Sequence, residues 1–434
     1  MTKKLVLIEL NELNFDVVKQ YIDSGVSLPG FDKLLSQGIL TTLAEENYEQ
    51  LEPWIQWPSV HTGKTYDEHQ IFRLGDAVNS NIRQFFELVE NAGFSVGAIS
   101  PMNAVNRLKA PAYFIPDPWT KTQPDRSFMS QAIAAALRQA VNDNSDSKLT
   151  TKTIMSLLLA FAWLVRPTRY FGMTRYALSA VGKPWRKALF LDMFLYEIHR
   201  TLLRRKQPDF TTLFLNAGAH IQHHYFHNSK FVSVEDLKNP SWYIGEDEDP
   251  VLEMLHVYDE IILGLLEESH YAIMIATGLS QTPYPKLKFY YRLKDHEDFL
   301  NKIGIENASV SPRMTRDFLV SFNTVEQALL AEEKLSKIMV DGVKPLFGEI
   351  DNRGKDIFVV LNYPFEITDD TVVSADETTF SLLEHVVFVA IKNGEHQSKG
   401  FVYLSDALSE HKFPNESHVS KLHDIVVGHF CSSG

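Results

Sequence analysis

The chain alternates short apolar runs with longer stretches of helical periodicity, and that alternation restricts its fold more than any other feature. Leu5–Leu10, Phe94–Ser100, Phe210–Asn216, Tyr271–Thr277 and Val386–Ile391 are rich in Val, Ile, Leu and Phe. That is the composition of strands buried on both faces of a parallel sheet. Between them lie the amphipathic stretches Asn14–Ser24, Pro29–Gln37, Asn81–Ala92, Phe128–Val141, Pro184–Arg205 and Val251–Glu267. In the last of these, Leu252, Leu255, Tyr258, Ile262 and Leu265 recur at three- and four-residue steps. Strand alternating with helix predicts an α/β fold, a mostly parallel sheet sandwiched by helices.

Two regions break the alternation. Residues 125–206 are basic and helix-rich and read as an insertion over the sheet. Residues 283–378 carry Asp317–Phe322, a helix over Val325–Val340, then Pro345–Ile350 and Asp356–Leu361 with Asn352-Arg-Gly-Lys355 as a turn. That β-α-β-β order predicts a small α+β insertion. The core then comprises 1–124, 207–282 and 379–434, so the 434 residues read as one enlarged core.

The net charge of −13 argues against nucleic acid as a partner, but it is unevenly spread. Between Lys148 and Lys206 twelve Lys and Arg face only Asp192 and Glu197. The same segment holds Ile154–Val165, an apolar stretch too short for the roughly 20 residues of a membrane span. Set among Trp163, Tyr170, Phe171, Tyr176 and Trp185, it predicts peripheral contact with an anionic membrane surface, a buried helix with a basic rim, or a dimer contact. The single cysteine, Cys431, excludes a disulfide framework and a cysteine metal cluster. The N-terminal run Leu5–Leu10 is too short for a signal sequence, so a cytoplasmic setting is expected.

Any metal must therefore use His, Asp, Glu or Asn. The densest supply follows a strand: Asn216-Ala-Gly-Ala-His220-Ile-Gln-His223-His224-Tyr-Phe-His227. Open α/β sheets bind ligands beyond the carboxyl ends of their strands, and imidazole is a common metal ligand. By the same positional argument His396, in Asn393-Gly-Glu-His396-Gln-Ser-Lys-Gly400, is a candidate, as is the polar end of the first strand, Glu9-Leu-Asn11-Glu12. Thr62-Gly-Lys-Thr65 lacks the upstream glycine and strand of a phosphate-binding loop, and Gly63 reads as a turn residue.

In this order the features resemble the alkaline phosphatase superfamily, in particular its nucleotide pyrophosphatase/phosphodiesterase-like branch. Leu5-Val-Leu-Ile-Glu9 is similar to the strand that ends there in a metal-binding Asp. Ser27-Leu28-Pro29 through Leu34 to Gly38 resembles a following "LP-x-x-x-x-L-x-x-x-G" stretch, and Thr62-Gly63 through His69 to Ile71 the tail of the nucleophile segment. Ala219-His-Ile-Gln-His223 is similar to the frame of an Asp-x-x-x-His metal pair, Tyr258–Leu266 to the helix after it, and Gly394-Glu-His396 to the loop of a last His ligand. The matches span about residues 4–100, 208–282 and 380–405.

The resemblance implies a hydrolase of phosphate or sulfate esters or phosphodiesters, with a phosphorylated sugar or a nucleotide as substrate or ligand. The site it implies is reduced. The nucleophile position falls on Pro53, the Asp of the Asp-x-x-x-His pair on Ala219, and a later Asp-His pair on Thr277 and Gly278. Glu9, His223 and His396 remain as metal ligands, enough for one divalent ion (zinc, manganese or iron) with an open position. His220 and His224 would act as acid or base, and Asn11, Ser59 and His61 would supplement the set. A protein that binds an anionic ligand without turnover is the alternative.

Overall fold

The computed structural model describes residues 3–142, 150–232, 234, 237–306, 309–313, 316–348, 350–375 and 378–431. Lys148 of the basic segment lies outside the described residues. Eight strands form the main sheet: β1 (Lys4–Leu10), β2 (Ile39–Leu43), β3 (Val96–Ile99), β4 (Tyr113–Ile115), β5 (Phe210–Leu215), β6 (Tyr271–Ala276), β7 (Lys399–Leu404) and β8 (Ser417–His418). Their spatial order is β8-β2-β7-β6-β1-β5-β3-β4. Strands β4, β3, β5, β1 and β6 are mutually parallel, and β7 alone is reversed, antiparallel to both β6 and β2. The sheet is mostly parallel and covered by helices, the α/β class expected.

The helices that matter for function are α1 (Phe15–Asp23), α2 (Pro29–Gln37), α3 (Pro53–Thr62), α4 (Phe85–Asn91), α5 (Pro184–Lys206), α6 (Ala217–Tyr225), α7 (Pro250–Leu266) and α8 (Leu422–Cys431). Side chains alternate across a strand. Leu5 and Leu7 of β1, with Phe210 and Phe214 of β5, pack under Trp57 and Val60 of α3, Phe85 and Phe86 of α4, and Ile425 and Phe430 of α8. On the other side α5 packs on β5, and α5, α6 and α7 pack on one another, with α2 against α7.

The described chain divides into two compact units: Met1–Ser233, Glu246–Pro283 and Gly394–Gly434 in the first, and Val234–Gly245 and Tyr284–Asn393 in the second. The second has its own core, with Phe299, Phe318, Val320, Ile357 and Val359 among its buried residues. It contains two four-stranded sheets and the helices His296–Lys302 and Val325–Ser336.

The run Val386–Ile391, expected in the parallel sheet, belongs to a longer strand, Val386–Gln397, paired with Ser280–Leu293 outside that sheet. Val386 and Ile391 serve the second unit's core, and Val389 is exposed. A short apolar run reads alike whether one face or both are covered. The sheet takes β2 and β7 instead.

The basic segment is partly neutralised. Arg166 and Arg169 pair with Glu197, Arg169 also with Glu260, Lys183 with Glu248, Arg186 with Glu253, Arg200 with Glu267 and Glu268, and Arg204 with Glu268. Six of its twelve Lys and Arg thus face acidic groups on α5 and on and beside α7.

His199 of α5 is fully buried, its Nε2 3.4 Å from Thr211 Oγ1, and burial pushes its imidazole down to about 3. His69 is held down at about 4, again chiefly by burial. The Ile71 N–H donates to His69 Nδ1, so the ring proton sits on Nε2, which donates to Ser59 Oγ. Both rings fold neutral but take up a proton near pH 6.5 when unfolded. Their stabilisation is therefore complete above about pH 6.5 and is lost as pH falls towards 4 and 3. Urea unfolding at about pH 7 and pH 5 should show a drop to which His199 contributes about 2 kcal/mol. A His199→Gln variant should lack that share, and an equal drop in both chains would contradict the assignment.

Candidate metal centre

At the carboxyl edge of the sheet β1, β5 and β6 end, and the segment leading into the reversed β7 arrives. Glu12 follows β1, His223 sits on α6 after β5, and His396 precedes β7. Glu12 Oε2 lies 2.9 Å from His396 Nε2 and 3.1 Å from His223 Nε2, and the two nitrogens are 3.2 Å apart.

The turn that presents Glu12 is strained. Its φ of +60° is in the left-handed region, which costs an L-residue about 1–2 kcal/mol. Neighbouring elements hold it there. The Asn11 N–H donates to Leu215 O at 3.0 Å and the Glu12 N–H to Thr277 O at 3.1 Å, stitching the turn to the ends of β5 and β6. Gln222 Nε2 of α6 donates to the Glu12 carbonyl at 2.9 Å. Strain kept in place by surrounding structure is characteristic of functional positions.

The carboxylate is fixed as firmly. Asn11 Nδ2 donates to Glu12 Oε1 at 3.0 Å and to Asn216 Oδ1 at 2.8 Å, while Trp57 Nε1 donates to Asn11 Oδ1 at 2.8 Å. Gln281 Nε2 donates to Glu12 Oε2 and, at 3.1 Å, to Ala219 O. The Leu51 backbone hydrogen-bonds the His396 ring, and Glu52 Oε2 stands 3.6 Å from His396 Nδ1. A carboxylate or carbonyl on one ring nitrogen orients the other as a ligand. Glu12 is 2% exposed, His396 13% and His223 34%, so the site opens beside His223.

Burial alone would raise the Glu12 carboxyl, but the attraction of His396 and then of His223 outweighs it and holds the group well below the usual carboxylate range. Burial would likewise lower His396, yet the Glu12 carboxylate raises it to about 9. Three donor atoms meeting at one point thus need a positive charge among them, and in the bare protein a proton on His396 provides it.

The same arrangement fits a divalent cation. A carboxylate and two imidazoles are a borderline donor set, and bonds of about 2.0–2.1 Å in tetrahedral geometry separate ligands by about 3.3 Å, close to the distances here. All three donors lie within 4.8 Å of one another, the one such group found among the described residues.

The structure brings two of the three expected ligands together and replaces the third. Glu9 shares the strand face of Leu5 and Leu7, which points under α3, and its Oε1 lies 3.0 Å from His61 Nε2, both side chains fully buried. Glu12, three residues later and beyond the strand end, joins His223 and His396. It stood in the polar run Glu9-Leu-Asn11-Glu12, and the positional signal that separates the two is the strand's last residue, Leu10. Asn11 supports Glu12 directly. His61 instead pairs with Glu9, and Ser59 bonds His69 and Ile55 O. His220 and His224 lie one helical turn apart on α6 with ring centroids 4.7 Å apart, outside the triangle. Burial, and next His223, lowers the His220 imidazole to about 4. Gln281 and Trp57 carried no sequence signal, and Gln222, inside the Ala219–His223 frame, was not singled out, because their role lies in contacts made only by the folded chain.

The positions that depart from the resemblance have structural duties. Pro53 is buried in the first turn of α3. Thr277 Oγ1 accepts from the Phe401 N–H at 2.9 Å, binding β6 to β7. Gly278 has φ +72° and lies so close to the Trp57 ring that a Cβ there would be 3.2 Å from it.

No protein-family model matches the sequence, and no curated protein matches it. Among solved structures the chain is similar to phosphonoacetate hydrolase from Sinorhizobium meliloti 1021 in complex with phosphonoformate, at 12% identity over 99% of this chain and 96% of that one, with a TM-score of 0.43. It is also similar to murine ectonucleotide pyrophosphatase/phosphodiesterase 5 (10% identity, 99% and 95%, TM-score 0.42). A third is the alkaline phosphatase from the Antarctic bacterium TAB5 (7% identity, 99% and 98%, TM-score 0.42). At such scores the likeness carries no weight for the site, whose reading rests on its own residues.

Proposed function

We propose that the protein is a metal-assisted hydrolase of a phosphate or sulfate ester or a phosphodiester, working with one divalent ion and without a covalent intermediate on the protein. The observation that carries this is the Glu12–His223–His396 triangle at the carboxyl edge of the sheet, in the frame that resembles the alkaline phosphatase superfamily. A divalent ion held there would supply Lewis-acid polarisation of a phosphoryl or sulfuryl oxygen and lower the pKa of water.

The protein's own residues do the rest. Asn11, Trp57 and Gln281 hold the Glu12 carboxylate in one orientation, and Leu51 and Glu52 orient His396. His220, kept neutral by burial, is a proton acceptor beside His223, with His224 next to it. The buried Pro53 leaves no hydroxyl where the resemblance places a nucleophile, which supports direct attack by water. The ligand is a small anion such as a phosphorylated sugar or a nucleotide, and the setting is cytoplasmic.

Chelator-stripped protein reloaded with zinc, manganese or iron should hydrolyse bis-p-nitrophenyl phosphate, p-nitrophenyl phosphate or p-nitrophenyl sulfate. The activity should vanish in His223→Ala and His396→Ala. Pro53, Ala219, Thr277 and Gly278 favour a second reading, an anion-binding protein without turnover. Stoichiometric metal with no hydrolysis of any of these esters or of nucleotide-sugars would establish that one instead.

A further inference from the structure

The segment from 151 to 182 reverses the ordinary arrangement of a surface helix. In helix Thr151–Leu164, Ala160 and Leu164 face inward, while Ile154, Met155, Leu158, Leu159, Ala162 and Trp163 form the outward stripe at three- and four-residue steps. A helix on a soluble surface turns its polar side outward, and one apolar all round is normally covered. Among the described side chains of this stripe none is charged, and Trp163 is 66% exposed. The next helix, Tyr170–Ser179, continues the surface. Phe171, Arg175 and Leu178 share its outer face at steps of four and three, with Phe171 80% and Leu178 70% exposed, and Val181 follows at 78%. The two helices are joined locally, since Phe161 and Tyr170 rings lie 5.3 Å apart and the Tyr170 hydroxyl donates to Ala162 O.

Two of the cations that remain unpaired, Arg175 and Arg205, border this apolar surface. While Arg166, Arg169, Lys183, Arg186, Arg200 and Arg204 are paired, Arg175, Lys187, Arg205 and Lys206 make no ion pair among the described residues. Arg175 sits between Phe171 and Leu178, and Arg205 donates to the Trp163 carbonyl at 3.0 Å, placing Arg205 at the end of the apolar helix. Among the described residues no helix is long and apolar enough to cross a membrane, and fourteen helical residues reach only about 21 Å against a hydrocarbon core of about 30 Å.

We infer that the outward faces of Thr151–Leu164 and Tyr170–Ser179 form a membrane-docking surface. The apolar stripe would lie in the plane of the interface, and Arg175, Lys187, Arg205 and Lys206 would meet anionic headgroups. Exposed Leu, Phe and Trp supply the apolar burial, and free cations set the preference for negative lipid.

The test is co-sedimentation of the full chain with vesicles of phosphatidylcholine alone and of phosphatidylcholine mixed with phosphatidylserine, at low and high salt. The protein should sediment with the anionic vesicles at low salt, at least about tenfold more tightly than with the neutral ones. Leu158→Glu combined with Trp163→Glu should abolish this. Arg175→Glu combined with Lys187→Glu should weaken it by about tenfold or more while leaving the neutral-vesicle result unchanged. All four positions are solvent-facing, and circular dichroism checks the fold of each variant. Recovery of the wild type in the supernatant with anionic vesicles would overturn the inference. So would a stable dimer in solution that the Leu158/Trp163 variant converts to monomer without any vesicle binding, which would assign the surface to a second copy of the chain.

Discussion

Glu12→Gln should weaken divalent-ion binding by at least about 100-fold, whereas Glu9→Gln should leave it within a few-fold of the wild type. Outer partners of metal ligands are alone worth about 10- to 100-fold in affinity, and a ligand at the vertex of the set is worth more. Glutamine keeps the shape of Glu12 and its contacts to Asn11, but it takes away the charge that both imidazoles face at 2.9 and 3.1 Å. It also withdraws the attraction that holds His396 up at about 9, so the ring's titration should fall in the metal-free variant. Glu9, three residues earlier, faces His61 beneath α3 and touches none of the site. Calorimetric titration of chelator-stripped protein with zinc and manganese reads both variants, and thermal melts confirm that each is folded. Equal losses, or loss in Glu9→Gln alone, would remove Glu12 from the ligand set.

The second large effect comes from a residue without a side chain. At Gly394 a Cβ would stand 2.1 Å from Gln281 Oε1 and 2.7 Å from the Gln222 carbonyl oxygen. Both neighbours are committed, Gln281 to Glu12 Oε2 and Ala219 O, and Gln222 to the Glu12 carbonyl. Gly394→Ala should destabilise the protein by about 2–4 kcal/mol and weaken metal binding as well, because the displaced groups are those that fix Glu12. Gly400→Ala is the comparison. Its Cβ would meet Thr42 Oγ1 at 2.6 Å and Gly278 O at 2.8 Å, so it strains the sheet without moving Gln281 or Gln222. Similar melting losses with tighter retained metal in Gly400→Ala are expected, and identical metal affinities would show that Gly394 serves packing only.

The sheet was legible in the sequence where strands are buried on both faces. Leu5–Leu10, Phe210–Asn216 and Tyr271–Thr277 stand where their apolar runs predicted, flanked by helices whose three- and four-residue spacing is equally plain. Lys399–Leu404 was not recognised, since its reversed direction and partners about 130 and 360 residues away leave no local mark. Val386–Ile391 carried a stronger apolar signal and serves another core. His223 and His396, whose Nε2 atoms the fold brings within 3.2 Å of each other, stood out in the sequence because they follow or precede strand ends at one edge. Glu9 and Glu12 could be told apart only by the alternation of side chains along β1 and by the left-handed turn after it, which composition does not announce in a glutamate.

The pairing of β1 sets the timing of folding. Leu5–Leu10 pairs with β5 and β6, which lie more than 200 residues further on, and Glu12 is 384 residues from His396. Contacts of such separation close slowly, and an apolar central strand waits unpaired until they do. A fragment that stops short of His396 therefore lacks one donor of the Glu12–His223–His396 group, however complete the rest of its sheet.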